Sequence, residues 1–179
     1  MSEARDRLLD TATRLFYAEG IHTVGIDRII AEAGIAKATF YRHFKTKEDL
    51  VVAYLVREYG RQREVLEAIP GAGTDSIVGI FERLGELSCG PGFRGCPFLN
   101  AAVEFPNPEH AVRKVVDDYR GWFRDLMADR LRAAGRADIE DAARALLLTR
   151  DGVAVSGGMG DNETVRVGIR TALSQLGIR

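Results

Sequence analysis

The first apolar positions, Leu8, Leu9, Ala12, Leu15 and Phe16, fall at a spacing that puts them on one face of a helix, which Gly20 ends. A short second helix runs from Ile26 to Ala33, with Ile26, Ile29, Ile30 and Ala33 in helical register and Gly34 as its stop. A third, Lys37 to Phe44, carries Phe40 and Phe44 four residues apart. Thr46 then stands as an N-cap with Asp49 three residues on, where a carboxylate returns the bond, so a long helix is expected to about Ala68, before Pro70. Residues 70–75 form the most evident linker, and a helix follows over 76–88. Beyond the Gly-rich stretch Cys89 to Cys96, a short apolar helix covers Pro97 to Val103. Asn107-Pro108 signals the start of the longest helix, which Gly135 closes. Asp138 and Asp161 are the expected caps of two more, the last lined by Val165, Ile169, Ala172, Leu173 and Leu176. With no alternating strand pattern and no internal repeat, the chain is expected to be all-α, with about nine helices.

Composition narrows the classes. A chain of 179 residues that is 46% apolar builds a core, which excludes a disordered tail or a peptide module. No apolar run reaches the roughly 18 residues that a membrane span needs, and residues 1–20 lack the apolar h-region of a secretory signal. The expectation is a cytoplasmic protein with no membrane partner and no cofactor. The net charge of −1 points to no partner, but its distribution does: residues 22–47 carry five basic side chains against two acidic, a net of +3 in a chain otherwise slightly acidic.

That basic stretch coincides with the two short helices and their tight Gly-containing turn, the arrangement of a helix-turn-helix. Ile29, Ile30, Ile35 and Phe40 lock the pair, leaving Arg28, Lys37, Thr39, Tyr41, Arg42 and His43 outward, a mixture of phosphate donors and groups able to touch base edges. Lys47 opens the following helix, whose free N–H groups favour an anion. The run Gly34-Ile-Ala-Lys-Ala-Thr-Phe-Tyr-Arg-His-Phe-Lys-Thr-Lys-Glu-Asp-Leu50 resembles the DNA-binding segment of TetR/AcrR-family transcriptional regulators. Leu15-Phe-Tyr-Ala-Glu-Gly20 and Ile26-Asp-Arg-Ile-Ile-Ala-Glu-Ala-Gly34 fit the same pattern, and the likeness covers residues 5–55. Further on, Gly95-Cys-Pro-Phe-Leu-Asn-Ala-Ala-Val-Glu104 is similar to a segment of one branch of the family.

The resemblance implies a three-helix DNA-binding domain, residues 1–48, and a larger helical domain, 49–179, that binds a small effector and forms a homodimer. It implies recognition-helix contacts from Lys37, Thr39, Tyr41 and His43, and a phosphate contact from Lys47. Two positions depart from the pattern. Gly25 stands where Ser or Thr is usual, and Ala36 where Ser is usual; alanine in place of a Ser cap costs about 0.5–2 kcal/mol.

In the second domain aromatic residues concentrate between Phe81 and Phe123. Most such residues are core, but Tyr119 and Trp122 carry polar handles that need partners. The expected effector contacts are Phe98, Tyr119, Trp122 and Phe123, with Cys96 beside them, and the expected effector is small and largely apolar. Ala142, Ala143, Leu146, Leu147 and Val153 make an apolar face expected to serve dimerisation. The leading expectation is a dimeric repressor released from a palindromic operator in double-stranded DNA. The alternatives are a redox-responsive repressor sensing through Cys96 and, as a minor reading, a helical enzyme. The second finds no support in the three histidines, which lie in separate segments without a nucleophile or metal-ligand motif.

Overall fold

The computed structural model describes residues 3–178. Among them are nine α-helices and no strand: α1 Glu3–Glu19, α2 Ile26–Ala33, α3 Lys37–His43, α4 Lys47–Glu67, α5 Thr74–Ser88, α6 Pro97–Glu104, α7 Ala111–Ala133, α8 Ile139–Gly158 and α9 Asn162–Gln175. By packing, the chain divides into two compact units, one holding the chain up to Arg61 together with Pro97–Val116, the other Gln62–Cys96 with the chain from Asp117 onward. These units do not follow chain order, because α4 and α7 each contribute to both. The expected division of labour at residue 48 is therefore a different kind of statement from the packing.

In the first unit the expected apolar face of α1 is buried at all five positions, and Val24, Ile29, Phe40 and Leu50 are buried in the same unit. The turn from α2 to α3 needs a left-handed residue, and Gly34 takes φ 61°, its N–H bonding to Ala31 O at 3.2 Å while Ile35 N reaches Ile30 O at 3.2 Å. Arg7 Nη2 donates to Ala33 O at 2.5 Å, fastening that turn to α1. At the start of α4, Asp49 N donates to Thr46 Oγ1 at 3.1 Å and Thr46 N to Asp49 Oδ2 at 3.0 Å, a reciprocal cap. Gly25 and Ala36 both stand in extended backbone as N-caps, and neither contributes a side-chain bond.

In the second unit Ile77, Ile80 and Phe81 of α5, Phe123, Met127 and Leu131 of α7, Ala142, Ala143 and Leu146 of α8, and Leu173 of α9 form one core. Gly157 lets α8 lie against the end of α5, since a Cβ there would come within 2.5 Å of Ser88 O.

Three local expectations are corrected. Helix α7 begins at Ala111, not at Pro108: Asn107 Oδ1 accepts from Glu109 N at 3.0 Å in a turn, and His110 Nδ1 accepts from Val112 N at 3.2 Å as the cap. Asp138 stands at the N-cap position of α8, its carbonyl accepting from Ala142 N at 3.0 Å, but its carboxylate makes no cap bond and instead takes Arg136 Nε at 2.8 Å and Nη2 at 2.6 Å. The face of Ala142, Ala143, Leu146 and Val153 is buried within the chain, with Leu147 packed partly against it. The exposed apolar residues of α8 and its C-cap are instead Leu148, Val155 and, at the cap, Met159, 73%, 51% and 72% accessible. Gly152 falls in the same stripe, at helical steps of four, three and four.

Candidate nucleic-acid interface and the buried polar cluster

Helix α3 presents Lys37, Tyr41 and Arg42 to solvent, with Thr39 and His43 half-buried. Tyr41 is 46% exposed, and its ring stands edge-on to that of the buried Phe40 at 5.2 Å, which orients it without enclosing it. Lys37 Nζ pairs with Asp27 Oδ1 at 3.0 Å across the turn, and this hydrogen bond raises its pKa. Lys47 is half-buried with its ammonium 6.0 Å from the Phe16 ring centroid; burial pushes its pKa down, opposed by the charges of Glu104 and Glu48. Arg28 is occupied by the protein itself. It donates to both oxygens of Glu19, through Nη2 at 2.8 Å and through Nη1, and its Nε donates to Glu32 Oε1 at 2.9 Å. Such exposed pairs are weak. Of the six expected DNA-contacting residues, then, Lys37, Thr39, Tyr41 and His43 share one short helix, Lys47 opens the next, and Arg28 ties α2 to α1.

The second unit holds a polar cluster in its interior. Arg150 is 3% exposed and donates from Nη1 to Asp151 Oδ1 at 2.6 Å, and from Nη2 to Tyr119 Oη and to Cys96 Sγ, each at 2.8 Å. Its guanidinium lies 4.8 Å from the centroid of the Tyr119 ring and 5.8 Å from that of Phe123. Tyr119 Oη donates onward to Gln62 Oε1 at 2.6 Å, and Asp151 Oδ2 accepts from Arg120 Nη1 at 2.5 Å. Burial opposes the charge on Arg150, but Cys96, Tyr119 and Asp151 outweigh it and raise its pKa. Burial likewise pushes the Tyr119 phenol well up, so its proton stays on to serve Gln62. Trp122, half-buried, donates Nε1–H to Glu67 Oε1 at 3.0 Å, and this bond, followed by the one from Arg63, holds the Glu67 carboxyl below its ordinary range. Cys96 and Cys89 are both free thiols.

The fold therefore brings Cys96, Tyr119 and Phe123 around one guanidinium. Trp122 neighbours Tyr119, ring centroids 5.6 Å apart, and Phe98 is buried in the first unit. A separate groove of about 780 Å³ runs between α5 and α9, lined by Val78, Glu82, Cys89, Arg166, Ile169 and Leu173 and touching none of the expected effector residues.

Residues 8–54 match the sequence model of the bacterial regulatory proteins of the tetR family. The HTH-type transcriptional regulator LmrA of Bacillus subtilis (strain 168) is 32% identical over 143 residues, covering 74% of this chain and 73% of that protein. The chain belongs to the TetR family. Its fold superposes on the crystal structure of SCO4454, a TetR-family transcriptional regulator from Streptomyces coelicolor, with a TM-score of 0.87 and 42% identity over 98% of this chain and 96% of that one. The HTH-type transcriptional repressor NemR of Escherichia coli (strain K12) is 27% identical over 120 residues, 64% of this chain and 60% of its own length. The chain is accordingly a DNA-binding transcriptional regulator, and the family match of residues 8–54 contains α2 and α3 whole.

Within this TetR-family chain, sequence reasoning missed Gln62, Arg120, Arg150 and Asp151. One signal was present: Arg150 interrupts an otherwise apolar stripe, between Leu146 and Val153, where a charge needs partners. Among the described residues no helix is long and apolar enough to cross a membrane, and no cluster of His, Cys, Asp and Glu is arranged to hold a metal ion.

Proposed function

We propose that this regulator is a dimeric repressor, acting in the cytoplasm without enzymatic activity, that leaves a palindromic operator when a small, largely apolar effector binds its second domain. The observation that carries the DNA half is the presentation of Lys37, Thr39, Tyr41 and His43 on one seven-residue helix behind a Gly34 turn, in a family of DNA-binding regulators. Residues 1–48 supply those contacts, with Lys47 on phosphate; residues 49–179 bind the effector and form the dimer. The stripe Leu148, Gly152, Val155 and Met159 supports dimerisation through α8, and a two-fold pair of recognition helices reads an inverted repeat. Cys96, Tyr119, Trp122 and Phe123 supply effector contacts in the second unit, where apolar rings surround a few fixed polar groups. An effector that favours the conformation with mis-spaced recognition helices lowers DNA affinity, and DNA lowers effector affinity by the same factor.

Footprinting the protein on DNA flanking its own gene, then on duplexes selected from a random pool, tests the proposal. Protection of an inverted repeat is expected; failure of both searches overturns it. Within that assay Lys47→Ala is expected to weaken all duplexes alike and to reduce the slope of log affinity against log salt by about one unit. An unaltered slope removes Lys47 from the phosphate contacts.

A second reading is favoured by one contact, the 2.8 Å bond from Arg150 Nη2 to Cys96 Sγ. A guanidinium beside the sulfur is the kind of electropositive surrounding that reactive cysteines share, so the repressor would answer an oxidant through Cys96. Hydrogen peroxide is then expected to release wild-type protein from the selected duplex and to leave Cys96→Ser bound. An equal response in Cys96→Ser rejects this reading and leaves the effector reading standing.

A further inference from the structure

Glu104 ends α6 and spends both carboxylate oxygens on the backbone of the turn between α1 and α2. Oε1 accepts from Ile21 N at 2.8 Å and Oε2 from His22 N at 2.6 Å, across more than 80 residues of sequence. Oε2 also lies 3.2 Å from His22 Nδ1, and the imidazole stacks on Phe105 with ring centroids 4.9 Å apart. Phe105 in turn lies 4.7 Å from the ring of His110, the cap of α7. The segment so held leads directly into α2, whose N-cap, Gly25, has no side chain to fix the helix entry.

We propose that Glu104 is a positioning residue for DNA binding: by gripping the N–H groups of Ile21 and His22 it sets the attitude of α2, and through the Gly34 turn that of the recognition helix α3. Three observations separate this from general stabilisation. The turn already has its own apolar anchors, Ile21 and Val24, both buried, so the three-helix core does not depend on the carboxylate. Helix α6 belongs to the same compact unit as α1–α3, and its terminal residue Glu104 is the group that reaches their turn. The charge of Glu104 also acts on Lys47, supporting the protonated form against burial at the expected phosphate contact. Bonds from backbone N–H to a carboxylate are charge-assisted and directional, which suits them to setting an angle.

The inference rests on reading α3 as the DNA-contacting helix, so Tyr41→Ala serves as the control for that reading. Full-length wild type, Glu104→Ala and Glu104→Gln are compared on a duplex selected from a random pool by the wild type, on an unrelated duplex, and by amide hydrogen exchange. In Glu104→Ala the Ile21 and His22 amides are expected to exchange at least tenfold faster while those of Leu15, Phe40 and Leu55 hold their protection. Affinity for the selected duplex is expected to fall by about tenfold, the size of one charge-assisted bond, with a smaller loss on the unrelated duplex, where only the support of Lys47 is removed. Glu104→Gln retains one carbonyl acceptor and is expected to fall between. Unchanged exchange at Ile21 and His22, or faster exchange with undiminished affinity, overturns the proposal. So does an equal loss on both duplexes together with general loss of protection, which assigns Glu104 to stability. If Tyr41→Ala also leaves affinity intact, the reading of α3 fails and takes the proposal with it; if only the Glu104 variants do, the proposal alone fails.

Discussion

Replacing Arg150 with alanine is expected to destabilise the protein by about 3–5 kcal/mol, the range for removing one partner from a buried charged network. The guanidinium is 3% exposed and serves Asp151, Tyr119 and Cys96 at once, so its loss takes a charged bond from each of the three and leaves a cavity beneath the Tyr119 and Phe123 rings. Equilibrium unfolding in urea measures this as a lower midpoint with an unchanged slope. Two further substitutions divide the effect. Arg150→Lys keeps the charge but not the planar fork, and its single ammonium does not span the same acceptors in the same plane. In Arg150→Met, as in Arg150→Ala, Asp151 keeps Arg120 and Tyr119 keeps Gln62, but the methionine fills the volume that alanine leaves empty, so it is expected to cost less. A loss below about 1 kcal/mol in Arg150→Ala, the scale of an exposed pair, would falsify the view that this cluster is a desolvated network.

The cluster also marks where sequence reasoning stops. Helices α2 and α3 and the start of α4 were legible because the features that mark them are local: helical apolar spacing, Gly34 at the position that needs φ 61°, and Thr46 and Asp49 three residues apart at the α4 cap. Tertiary contacts carry no such spacing. The partners of Arg150 come from Cys96, Tyr119 and Asp151, and the chain of bonds goes on to Gln62 and Arg120; four separate segments meet, and only the charge on an apolar stripe announces it. Glu104 is similar, since a carboxylate at a helix end reads as a solvated residue until Ile21 and His22 are seen beside it. The apolar face of α8 misled for another reason. Periodicity shows that Ala142, Ala143 and Leu146 share a side, but not whether α5 and α9 of the same chain cover it, as they do, or a second chain. Capping was ambiguous at Asn107-Pro108, where Asn builds a turn of its own and His110 takes over as cap.

Tyr41→Ala is expected to weaken binding to the protected operator by about 10–100-fold, the discrimination carried by one or two good contacts to base edges, with little change in stability. The two effects separate here because of how the side chain sits. Phe40, its neighbour, is fully buried and fills the core between α1 and α3, so its truncation confounds unfolding with lost recognition. Tyr41 only leans its ring against Phe40 and leaves nearly half its surface in water, so its removal opens no cavity. A contact to bases also differs from one to phosphate in its salt dependence: Tyr41→Ala should leave the slope of log affinity against log salt as in the wild type, whereas Lys47→Ala flattens it. Affinity for unrelated duplexes, which in the proposed function rests on phosphate contacts such as that of Lys47, should not move. Binding titrations on operator and unrelated duplex at several salt concentrations, with a thermal melt of the same sample, make the comparison. Equal losses on both duplexes would place Tyr41 on the phosphate backbone, and no loss on either would overturn the reading of α3 as the DNA-contacting helix.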